Sequence, residues 1–205
     1  KALTSSVVLE PLKINSFNLN PTLVEIGQTV TSIAYSNSYT KQPNKLEVTG
    51  ENLTMNTTTA LSAGTLAGSW RKTTDQSLTF AAQAILGVEI ANKQATVRWM
   101  KPAMTYYGGI ITTLDSLQLT IHLRPSLYGK YYKNELLPGQ YFHFFVPVEF
   151  PGEIWSGGFK GGFIRESDKW FTLNGVTYEV QHFRSRLDFF ETLEINFLPI
   201  FTIEI

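Results

Sequence analysis

The sequence predicts an all-β protein: an immunoglobulin-like β-sandwich followed by a second β-sandwich or jelly-roll-like domain. Three observations carry this expectation. Apolar residues recur at every second position, the period of a half-buried strand. Helical periodicity is almost absent. Turn signals such as Asn20-Pro21, Pro138-Gly139, Pro151-Gly152 and Asn174-Gly175 punctuate the apolar runs.

Taken in order, residues 1–11 read as an extended leader. Residues 12–101 carry short strands spaced about 8–12 residues apart, the rhythm of a sandwich. Strands are expected near Lys13–Asn18, Thr29–Tyr39, Lys45–Thr49, Ser77–Leu86 and Gln94–Met100. Leu78, Phe80, Ala82 and Ala84 alternate along one of them, and Ala95, Val97 and Trp99 along the next. The chain divides near Lys101-Pro102, and residues 102–205 read as a distal β domain. Leu117, Leu119, Ile121 and Leu123 share one face of a strand there. Tyr141–Val148 is apolar almost throughout, which predicts cover on both faces. Asn174-Gly175 supplies the two positive-φ residues of a type I′ hairpin turn between Trp170–Leu173 and Val176–Val180. The best candidate for a turn or two of helix is Ser126–Leu137, where Tyr131, Tyr132, Leu136 and Leu137 fall loosely at helical spacing. The C-terminal run alternates up to Asn196 and then turns apolar on both faces, which predicts burial under another element or another subunit.

Composition narrows the function classes. The 205 residues include 17 Lys+Arg and 17 Asp+Glu, so formal net charge is zero. Neutralising phosphates takes a surplus of Lys and Arg, so nucleic acid is not an expected partner. Hydrophobic residues make up 43% and aromatic residues 13%, which argues against disorder. Cysteine is absent, so the chain has no disulfide, thiolate site or cysteine nucleophile. No run approaches the ~20 apolar residues of a membrane helix, so no membrane span is expected.

Chemistry-bearing patterns are weak. His122, His143 and His182 lack the short spacing of a zinc motif and read as ordinary strand histidines. Glu149, Glu153, Glu166 and Asp168 show no spacing that places two at glycosidase separation, and no Gly-x-Ser-x-Gly elbow occurs. Asn52-Leu53-Thr54 and Asn56-Thr57-Thr58 fit the N-glycosylation acceptor pattern, which matters only on a eukaryotic secretory route. No catalytic, metal or cofactor-binding residue is therefore assigned, and no cofactor is expected. The glycine cluster of residues 156–163 lacks the Gly-Lys-Ser/Thr and helix of a phosphate loop, and reads as a flexible connection. Its aromatics Trp155, Phe159 and Phe163, together with Tyr106, Tyr107 and Trp170, form the candidate interaction surface.

One resemblance adds a function. Ile14-Asn15-Ser16-Phe17, Asn20-Pro21 and Val24-Glu25-Ile26-Gly27-Gln28-Thr29-Val30 come first, and Tyr106-Tyr107-Gly108 follows the sandwich. Gly161-Gly162-Phe163 and Leu173-Asn174-Gly175-Val176-Thr177-Tyr178 lie further on. This order resembles the Ig-like modules and distal β domains of tailed-bacteriophage virion proteins of the tail, baseplate, neck-appendage and head-fibre type. The resemblance implies a non-enzymatic virion component that packs against other virion proteins and itself, with a trimer as the first expectation. A host-surface glycan is a further implied partner. The alternative is a receptor- or carbohydrate-binding β module, or an adhesin domain, using Trp155, Tyr106, Tyr107 and Trp170. A polysaccharide depolymerase ranks last, for want of a carboxylate pair.

Overall fold

The computed structural model describes residues 10–58, 62–114, 117–133, 138–156, 159–186 and 193–200. Among the described residues the chain is all-β, with sheets in sandwich-like arrangement and no helix. It forms two compact units. The first runs up to Val24 and resumes as Gln28–Trp99; the second comprises Glu25–Gly27 and the chain from Met100 onward.

The first unit uses β1 (Ile14–Asn20), β2 (Leu23–Glu25), β3 (Thr29–Tyr39), β4 (Lys45–Gly50), β5 (Leu53–Thr57), β6 (Ala63–Arg71), β7 (Gln76–Leu86) and β8 (Glu89–Met100). β1-β3-β6 make a three-stranded sheet and β2-β8-β7-β4-β5 a five-stranded one. Alternation decides what each strand buries. Leu78, Phe80, Ala82 and Ala84 enter the core from β7, and Val97 and Trp99 from β8. In β3 the rhythm slips: Val30 and Ile33 are both buried although three apart. The register against β6 shifts in the same stretch: Val30 faces Trp70 and Ser32 faces Ala67, so β6 carries the extra residue of the bulge. Trp70 of β6 meets Phe80 of β7 edge-on at 5.4 Å, joining the two sheets. The indole N–H groups of Trp70 and Trp99 donate to the Glu51 and Gln28 carbonyls, each at 2.9 Å, so neither buried donor is stranded.

The second unit uses β9 (Ala103–Gly108), β10 (Thr120–His122), β11 (Gly129–Lys133), β12 (Tyr141–Pro147), β13 (Gly152–Ser156), β14 (Phe159–Lys160), β15 (Phe163–Arg165), β16 (Lys169–Leu173), β17 (Val176–Ser185) and β18 (Leu193–Pro199). One sheet has the order β10-β9-β12-β17-β15, with β16 also paired to β17; the other has the order β11-β18-β13-β14. Aromatic rings fill the space between them. Phe144 lies 5.3 Å from Phe197 and 4.6 Å from Tyr131, and Phe183 lies 6.1 Å from Phe197. The opposite face of the first sheet is covered as well: Met104, Phe145, Tyr178 and Val180 cluster with Leu114, Phe171 and Ile26. That is why β12 reads as continuously apolar, since Phe142–Val146 are buried on both sides. Ile26 is held in this unit by its N–H, which donates to the Met100 carbonyl at 3.0 Å.

Two expectations are corrected here. Ser126–Leu137 is not helical where it is described. Gly129–Lys133 forms strand β11 against β18, and residues 134–137 lie outside the described set. Tyr131 is drawn into the sandwich, with its ring on Phe144 and its hydroxyl donating to the Leu127 carbonyl at 2.6 Å. The glycine cluster is also more ordered than a flexible connection. β13 and β14 pair as Trp155↔Lys160 and Ser156↔Phe159, and β15 then joins β17. Residues 157–158 between them lie outside the described set.

Candidate functional site

Period two sends Tyr141, His143 and Phe145 of β12 to one face of the sheet and Phe142, Phe144 and Val146 to the other. The antiparallel register places His143 opposite Arg184 and Phe145 opposite His182 of β17. His143 and His182 therefore stand diagonally on the same face, at the end of the apolar cluster built on Met104, Phe145 and Val180. On its other edge β17 changes partner. β15 pairs with Phe183–Ser185 and β16 with Val176–Val180. In the break the Glu166 N–H donates to the His182 carbonyl at 2.9 Å. Glu166 and Lys169, from the two ends of the break, line a cleft of about 420 Å³ with the two histidines, Tyr141 and Arg184. Ile110 and Ile111 add an apolar wall.

The hydrogen bonds define the tautomers. The Gly109 carbonyl can only accept, so His143 Nε2, 3.0 Å away, carries the proton. Nδ1 of neutral His143 is then an acceptor, and His182 Nε2 donates to it at 3.0 Å. Neutral His182 is left with a bare lone pair on Nδ1. That atom is buried and has no hydrogen-bond partner among the described residues. The rings stack with centroids 5.2 Å apart, and Phe145 lies under His182 at 4.6 Å. Burial pushes both imidazoles down to about 4. For His182 the neighbouring His143 adds to this; for His143 the Gly109 hydrogen bond opposes it. Glu166 is held below the usual carboxylate range by Arg184, whose Nε donates to Oε1 at 2.7 Å. The Arg184 guanidinium lies 4.8 Å from the Tyr141 ring centroid. Lys169 forms no ion pair among the described residues.

His122 is separate from this pair. It follows Ile121 on the opposite face, where Nε2 lies 2.9 Å from Thr105 Oγ1. Burial and then Arg124 lower its pKa. Among the described residues, no three His, Asp or Glu side chains converge as a metal site requires. The four carboxylates weighed from sequence each have a cation: Glu149 with Lys101, Glu153 with Lys160, Glu166 with Arg184, and Asp168 with Arg165.

Comparison with protein-family models, curated proteins and solved structures finds no match.

The six aromatics singled out from sequence do not form one surface. Phe163 is a core residue, buried and edge-on to Phe142 at 5.9 Å, which corrects its expected exposure on a loop. Tyr107 points to the inner face and packs on Phe142 at 5.0 Å. Tyr106 points to the outer face, 5.8 Å from His143. Its ring folds over Gly108, where an added Cβ would lie 2.3 Å from the Tyr106 hydroxyl. The glycine of the Tyr-Tyr-Gly motif thus makes room for that ring. Trp170 is 66% exposed on β16. Trp155 is half-buried on β13 and lines a smaller groove with Leu198 and Ile200. The Phe159 side chain lies outside the described set. Sequence reasoning did not single out the His143–His182 pair, because the two lie 39 residues apart and meet only through the β12–β17 register.

Proposed function

We propose that this chain is a non-enzymatic structural subunit of a tailed-phage virion, a tail, baseplate or fibre component that packs against copies of itself and other virion proteins. The observation that carries this reading is the placement of large apolar side chains in water. Val88, at the tip of the β7–β8 hairpin, is 98% exposed, with Ile90 beside it. Ile110 is 88% exposed. Leu198 and Ile200 flank half-buried Trp155. Single exposed apolar residues are ordinary, but such residues on hairpin tips and sheet faces of a neutral β protein suit subunit packing. The sequence resemblance supplies the kind of assembly, and a trimer remains the first expectation.

The test is light scattering on the purified chain beside a Val88→Asp, Ile90→Asp variant and a Leu198→Asp, Ile200→Asp variant. A homo-oligomer that at least one of these variants dissociates supports the reading. A monodisperse monomer in all three refutes self-assembly. The second reading, a carbohydrate-binding module, is favoured by one observation, the polar cleft around His182.

A further inference from the structure

We propose that the cleft between β12, β17 and the Glu166–Lys169 turn binds a sugar bearing an anionic group. The complementarity comes from three sides. The anion is met by Lys169, which forms no ion pair among the described residues and whose charge also acts on Glu166 and His182. Arg184, beside it, donates Nε to Glu166 and Nη1 to the Ser185 carbonyl. Ionised side chains lining the cleft are Lys169, Arg184 and Glu166, a net positive set. Hydroxyl donors are met by acceptors. His182 lines the cleft, and its buried Nδ1 acceptor has no donor among the described residues. A buried acceptor left unpaired costs free energy that a donor removes, directly or through one ordered water. An apolar sugar face is met by Tyr141, Ile110 and Ile111. The volume of about 420 Å³ lies within the range of small-ligand sites and suits one or two sugar rings.

The His143–His182 geometry gives the acceptor a fixed orientation. Gly109 fixes His143, His143 fixes His182, and the lone pair of Nδ1 cannot be exchanged for an N–H without charging the ring. A group that reaches that point is therefore selected as a donor. A simple carboxylate without hydroxyls lacks the complement, and so does a neutral sugar without the anion. This inference stands apart from the virion reading, since a virion subunit and an isolated binding module would both carry it.

The experiment is NMR titration of the ¹⁵N-labelled chain with glucuronate, glucose 6-phosphate, glucose and acetate at neutral pH. The first two distinguish carboxylate from phosphate as the anionic group. Saturable shifts are expected on β12 and β17 amides with at least one anionic sugar, with a Kd of about 1 mM. The His182 Nδ1 resonance should move upfield as it accepts a hydrogen bond. Glucose and acetate should each bind about tenfold more weakly. Lys169→Met should weaken the anionic sugar about tenfold and leave glucose unchanged. Three results would overturn the proposal: no saturable shift with either anionic sugar up to about 10 mM, equal binding of glucose, or unchanged binding in Lys169→Met. Because Lys169 makes no ion pair among the described residues, the ¹⁵N spectrum of that variant should keep the wild-type dispersion, so that the site is tested on an intact fold.

Discussion

Acidification should destabilise the second unit through its buried histidines well before the carboxylates titrate. In the folded chain His143 and His182 are pushed down to about 4, whereas an unfolded imidazole titrates near 6.5. The folded value is the lower one. Their neutral forms therefore lend full stability above about pH 6.5, and that stability drains away as pH falls toward about 4. One such imidazole costs about 2 kcal/mol at pH 5, and both together cost up to about 4 kcal/mol. The two protons are not equivalent. The first can sit on His182 Nδ1, since Nε2–H still donates to His143. The second must go to His143 Nδ1 and break that hydrogen bond. Against a total stability of about 5–15 kcal/mol, this is a large share. The assay is a urea titration at pH 8, 7, 6 and 5, followed by amide NMR peaks of β12 and β17 so that the second unit is read alone. A His143→Phe, His182→Leu double variant serves as the control, because both titrating partners are removed and the Gly109 carbonyl that loses its donor belongs to an exposed residue. The wild-type midpoint should fall between pH 7 and 5, and the variant should be much flatter. A wild-type midpoint constant over that interval, or an equal fall in the variant, would refute the reasoning.

Three further outcomes follow from individual contacts. Gly108→Ala should cost about 2 kcal/mol by overpacking Tyr106, while Gly109→Ala, with open space around its Cβ, should stay within about 0.5 kcal/mol in the same urea titration. Asn174→Ala should cost about 1–2 kcal/mol, read from the same β17 peaks, because Asn174 holds φ +50 and its Nδ2 donates to the Ile26 carbonyl at 3.2 Å. Asp75→Asn, which breaks the surface pair with Arg98, should change stability by less than about 1 kcal/mol in thermal unfolding of the first unit.

The sequence was most legible where one face of a strand is wet. β3 spans Thr29–Tyr39 as expected, and Leu78, Phe80, Ala82 and Ala84 fall on the buried face of β7. The Asn174-Gly175 turn has both residues at positive φ, as its composition demands. β5 and β6 went unread because Thr, Asn, Ala and Gly dominate them, and only Leu66 and Trp70 of β6 are buried. Their strand character comes from pairing with β4 and β3, a tertiary effect that local propensity does not report. Tyr131 and Tyr132 are adjacent, so their spacing fits a helix turn or a strand equally well, and pairing with β18 together with Tyr131 packing on Phe144 decided for the strand. The glycines of residues 156–163 suggested mobility, yet Phe163 had the aromatic core of the sandwich to enter. The candidate cleft was the least legible feature. Its members come from β12, β17 and the break between β15 and β16, and no one-dimensional pattern joins them.

The most direct test of the virion reading is mass spectrometry of gradient-purified phage particles from the source that encodes this chain. The account predicts that peptides of the chain band with capsid and tail peptides, at a fixed copy number per particle that survives high-salt washing. Peptides confined to the soluble fraction, with none in the particle band, would contradict it.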